Sequence, residues 1–159
     1  MKRSILLFVI AMAAYAGSAL AQGRGRGLPP PPTLTGPVAD LVNGIINAIN
    51  NQDTAYIQKV AAPDAIWADE DGHILPTNFF IGKLMGGKPP KKLTPSNMGG
   101  QTWDGGAWAA FDYTLDETVA NAGTNQMKGT ITMTFKKAGN DWQVVLIHAS
   151  VNGPAIAPH

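Results

Sequence analysis

Cysteine is absent from all 159 residues. That excludes disulfides and the lipid-modified cysteine of a bacterial lipoprotein. Arginine is confined to Arg3, Arg24 and Arg26, so the rest of the chain has no guanidinium to clamp a phosphate or carboxylate through paired hydrogen bonds. This argues against nucleotide and phosphorylated substrates. Charged residues make up 14% of the chain, against about 25% in an average soluble protein. They form no Lys/Arg cluster of the kind that binds nucleic acid. The longest apolar stretch, Ile5 to Ala16, is short for a membrane span.

That stretch instead belongs to a secretory signal over residues 1–21, with Lys2 and Arg3 as its basic start and Ala19-Leu20-Ala21 as its cleavage site. Cleavage after Ala21 predicts a secreted or periplasmic protein with no stable membrane anchor; an uncleaved anchor is the alternative reading. Removing Lys2 and Arg3 from the twelve basic residues leaves ten against eleven acidic ones, so the mature chain is near −1. Residues 22–36, QGRGRGLPPPPTLTG, read as a Gly/Arg- and Pro-rich linker. Residues 153–159 read as a flexible tail, which leaves 37–152 as one domain large enough for a core.

The domain opens with an amphipathic helix. Val38, Leu41, Val42, Ile45, Ile46 and Ile49 recur at steps of three and four, Pro37 suits the first turn and Asp40 complements the helix dipole. Asp53 caps a second, shorter helix carrying Ile57 and Val60 and ending at Pro63. The period then changes to two. Strands are predicted at Ala65–Asp69, returning through an Asp71-Gly72 turn; up to Trp103; from Ala107 to Thr118 after an Asp104-Gly105 turn; from Met127 to Lys137; and from Trp142 to Val151. A third short helix is expected over 77–86, and a basic loop over 86–92. Helices followed by hairpin-linked strands predict an α+β fold. In the last strand, strict alternation puts Trp142, Val144, Leu146, His148 and Ser150 on one face and Val145, Ile147, Ala149 and Val151 on the other. Both faces are largely apolar and need cover, so a homodimer is expected.

The helix pair with NNQDTAYI, the segment APDAIWADEDG and the ending GNDWQVVLIHAS together resemble the nuclear transport factor 2-like superfamily, in its SnoaL-like and ketosteroid isomerase-like branch. The resemblance implies a cone-shaped, curved, mostly antiparallel sheet wrapped around two or three N-terminal helices, with a pocket at the open end. Against ketosteroid isomerases, Asp69 matches the proton-moving carboxylate. The positions of the two oxyanion donors match Ile45 and Ile131, which cannot donate. Losing one such donor costs about 3 kcal/mol of transition-state stabilisation, so steroid isomerisation is not expected. SnoaL-like domains share the terminal Trp142, His148 and Ser150 pattern.

Two candidate proton-transfer residues follow. His148 reads as a concave-face shuttle, or as a buried histidine holding the strand in register. Asp69 reads as a general base, or as an acidic residue ahead of a turn. Asp112, Trp67, Trp108, Tyr56 and Ser150 are the candidate ligand-binding residues. Asp112 would pair with His148 if it faced inward, and would be solvated if outward. His73 and His148 are too few for a zinc site, and no metal or cofactor is expected. The leading expectation is an exported pocket protein for a small apolar or mixed ligand. The alternatives are a cofactor-free isomerase, cyclase or dehydratase using Asp69 and His148, and a non-catalytic dimerisation or assembly module.

Overall fold

The computed structural model describes residues 31–69, 71–85, 91–119 and 123–152. The signal region, most of the linker and the tail lie outside the described residues. Helix α1 spans Pro37–Asn51 and α2 spans Thr54–Val60. The stripe of α1 buries Val38, Leu41, Val42, Ile45 and Ile46, and the helix stops where Gln52 turns left-handed at φ 55°. Asp53 caps α2 by accepting a hydrogen bond from the Tyr56 N–H at 3.0 Å. Among the described residues six strands follow: β1 (Ala61–Ala68), β2 (Ile74–Pro76), β3 (Lys91–Trp103), β4 (Gly106–Val119), β5 (Gly123–Ala138) and β6 (Asp141–Val151), with α3 (Thr77–Met85) between β2 and β3. The second helix ends sooner than its proline suggested. Pro63 lies inside β1, where pairing with β6 is irregular between Ala61 and Ile66.

The strands form one curved, unclosed sheet in the order β2-β1-β6-β5-β4-β3. Among the described residues only the β1–β6 contact is parallel; the others are antiparallel hairpin or meander pairs. This is the expected α+β cone. Alternation on β4 sends Ala107, Ala109, Phe111, Tyr113 and Leu115 to the helix side, where they meet Ile131, Met133 and Phe135 of β5. With Trp67, Val144, Ile147 and the α1 stripe they make one cluster on the concave face. Ile45 is fully buried and Ile131 is 4% exposed there. The two positions where ketosteroid isomerases hold donors are thus ordinary apolar core.

Strict alternation fails on β6. Phe135 pairs with Val144 and Thr134 with Leu146, so Val145 is an extra residue without a partner. Such a β-bulge inverts the facing of everything beyond it. Trp142 and Val144 therefore face the core, as do Ile147 and Ala149, whereas Leu146, His148 and Ser150 face the other way. The expectation that Trp142, Val144 and His148 share a face is corrected accordingly.

Candidate functional site

The bulge sends His148 to the outer face of the sheet, where it is exposed between Thr132 of β5 and Ala68 of β1. The concave-face placement expected for His148 is corrected, and so is its alternative as a buried histidine. Asp69 sits on the other side. It follows Trp67 on the core-facing side of β1 and is 7% exposed. One carboxylate oxygen accepts the N–H groups of Asp71 at 3.1 Å and His73 at 2.9 Å; the other lies 3.4 Å from His73 Nδ1. Backbone bonds from Asp69 to His73 and from Gly72 to Asp69, each 3.0 Å, close the same turn. The carboxylate holds the β1–β2 hairpin in the manner of an Asx turn. With the sheet between them, Asp69 and His148 cannot flank one small substrate.

The candidate ligand-binding residues divide in the same way. Asp112 is on the outer face with His148, but its oxygens are taken by Asn97 Nδ2 at 2.8 Å and Thr130 Oγ1 at 3.2 Å. Its register partner chain runs through Thr130 to Ser150, one row away from His148, so the expected Asp112–His148 pair does not form. Ser150 is half-buried on that face and donates to the Thr130 carbonyl at 3.2 Å. Trp108 is also half-buried and outward, paired with Thr134.

Tyr56 and Trp67 lie on the helix side. The Tyr56 hydroxyl rests against Gly44 of α1. Burial, and secondarily the Asp40 carboxylate, raise its pKa above the ordinary 10.0. Because the folded state holds this proton more tightly, stability is unaffected below pH about 10 and falls above it. A Tyr56→Phe variant is expected to lose that alkaline sag in a melting-temperature profile; an unchanged sag places its origin elsewhere.

Trp67 is 3% exposed and stacks on Phe80 of α3, with ring centroids 3.7 Å apart and planes at 11°. Its indole Nε1 is buried and has no hydrogen-bond partner among the described residues. Among the described residues, Asp69, Asp71 and His73 form a group whose donor atoms lie within 4.8 Å of one another; the hydrogen bonds of the turn account for that grouping.

The outer face itself carries residues the sequence reading passed over. The row through Trp108, Thr134, Leu146 and Ile66 lies next to the row through Ala110, Thr132, His148 and Ala68. Ile66 is 41% exposed and Ile74 on β2 is 69% exposed. These two rows hold no lysine, arginine, aspartate or glutamate. The available signal was the alternation of β1, which sets Ile66 opposite the buried Ala65 and Trp67.

No protein-family model and no curated protein matches the sequence. Solved structures do. A nuclear transport factor 2-like superfamily protein from Salmonella enterica serovar Typhimurium is 19% identical, with 74% of this chain and 90% of that one covered at a TM-score of 0.65. A nuclear transport factor 2-like protein from Rhodospirillum rubrum is 16% identical over 72% of this chain and 98% of that one, at 0.64. The association domain of C. elegans CaMKII is 14% identical over 71% of this chain and 92% of that one, at 0.62.

Proposed function

Starting from its nuclear transport factor 2-like fold, we propose that this chain is an exported self-association module that joins two copies through the outer face of its sheet. The observation that carries the proposal is the pair of rows through Trp108, Leu146 and Ile66 and through Ala110, His148 and Ala68, open and free of acidic and cationic residues. A two-fold interface sets one patch against itself, so a patch without fixed charge avoids like-charge repulsion. β-branched Thr132 and Thr134 provide a pleated surface that packs well. Similarity to an association domain supports the choice of a second copy as the occupant. Export rests on the Lys2-Arg3 start and the apolar run before Ala21.

Sedimentation of the chain from Gln22 onward is expected to give a dimer at micromolar concentration. Leu146→Lys, which would bury an unpaired ammonium in the interface, is expected to weaken it about a hundredfold or more. Its melting curve should stay close to that of the parent at a concentration where both are monomeric, since Leu146 lies outside the core cluster. A parent chain that sediments as a monomer, or a Leu146→Lys dimer of unchanged affinity, overturns the reading.

A second reading, a site for a small apolar or mixed ligand on the concave side, is favoured by Trp67 Nε1, which has no partner among the described residues. A buried N–H without an acceptor costs roughly 1–3 kcal/mol, and a carbonyl or hydroxyl on a ligand would remove that cost. Native mass spectrometry of the purified chain is expected to find a retained small molecule that Trp67→Phe loses. A bare mass in both proteins rejects the site.

A further inference from the structure

The open edge of the sheet at β3 is closed by groups from outside it. At one end Asn50, in the last turn of α1, acts as a strand partner in miniature. Its Oδ1 accepts the Leu93 N–H at 2.7 Å and its Nδ2 donates to the Leu93 carbonyl at 2.9 Å. Two residues on, Pro95 has no N–H to offer, as suits an edge strand. Next comes a bulge between Ser96 and Gly99, with Asn97 in the left-handed region at φ 53°. Beyond it the Gly100 N–H donates to the Pro32 carbonyl at 2.9 Å.

That last partner comes from the segment expected to be linker. Leu34 is 9% exposed and belongs to the core cluster. Gly99 and Gly100 are both buried. A side chain at Gly99 would run into the Pro31 ring and the Pro32 carbonyl, while one at Gly100 would meet Leu34 and the backbone of β4. The two glycines form a bed into which Pro31, Pro32 and Leu34 fit. Pro31 and Pro32 themselves carry no N–H. The segment can therefore satisfy an edge N–H while offering no donor of its own at those positions for a further strand. Proline's fixed φ also keeps the ordering entropy of such a strap low.

We propose that the Gly99–Gly100 pair just past the bulge is a binding site for an extended proline segment, occupied here by residues 31–34 of the same chain, and that this strap prevents β3 from pairing with β3 of a second copy. Exposed edge strands are ready templates for such pairing. The strap acts at the sheet edge, so it is separate from the outer-face interface proposed above.

The test compares the chain starting at Gln22 with one starting at Gly36, each with and without Leu146→Lys, so that outer-face dimers are counted apart. Removing the strap is expected to add a concentration-dependent association that persists in the Leu146→Lys background. Amide exchange at Gly100 should rise about tenfold in the monomer. A synthetic peptide of residues 28–36 should reverse both effects. Gly99→Val in the longer chain should reproduce them, because the nearest atoms to its new Cβ are those of Pro31 and Pro32; this variant decides the matter if the truncated chain melts. Unchanged sedimentation and Gly100 exchange in the truncated or Gly99→Val chain, or a peptide without effect, overturns the proposal.

Discussion

Phe111→Ala is expected to destabilise the domain by about 3–5 kcal/mol, the range for removing a fully enclosed aromatic ring from a core. Phe111 is 1% exposed and lies midway along β4, paired across to Ile131. It stands at the centre of the concave cluster, where alanines at positions 107 and 109 already leave little side-chain bulk on its own strand. The β4–β5 ladder runs unbroken past it, which resists collapse of the strands into the space. For a domain of this size the loss corresponds to a fall in Tm of roughly 12–20 °C. Phe79→Ala is the matched control: that ring is 65% exposed, and the change should cost less than about 1 kcal/mol. Equal effects at the two positions would mean that the helix side of the sheet is not the core.

The second large effect is expected at Asp69. Its carboxylate receives two backbone N–H groups inside a turn from which its side chain is only 5% exposed. Hydrogen bonds to a charged group are each worth about 1.5–3 kcal/mol, and stranded donors add their own penalty. Asp69→Ala is therefore expected to cost about 2–4 kcal/mol, with faster amide exchange at Asp71 and His73. Asp69→Asn keeps an acceptor oxygen and should fall between parent and Ala. This separates the turn role from an acid–base role. If Asp69→Ala melts like the parent and those amides exchange no faster, the carboxylate is not holding the hairpin. Should the fold survive while a measured isomerase or lyase activity disappears, the base reading returns.

Both residues show where the sequence was legible. Simple alternation puts Phe111, Tyr113 and Leu115 on the face opposite Asp112, and that strand runs without a bulge from Gly106 through Val119 against β5. Asp69 stood between two readings, because an acidic residue before a Gly-containing turn looks the same whether it moves protons or caps the turn. The difference lies in where its oxygens point. His148 was lost to the bulge at Val145. Nothing in W-Q-V-V-L-I-H distinguishes an extra residue from a regular one, since Val is equally at home on either side of a strand. Asn50 sits in the last turn of the first helix, yet its amide partner is Leu93, 43 residues away.

The amino-acid order alone determined the elements and their class: a 3.6-residue stripe in α1, an Asp53 cap on α2, two-residue alternation in β4 and β5, and an Asp104-Gly105 turn. Each of these depends on neighbours within a few residues, so it is written in the local pattern. Only the tertiary structure decided which face His148 occupies, that Asp69 is spent on its own turn, and that the Pro32 carbonyl and the Leu34 side chain are held at β3. Those outcomes depend on pairing register and close packing between segments far apart in the chain. A single unpaired residue or a pair of glycines changes them without altering the local pattern at all.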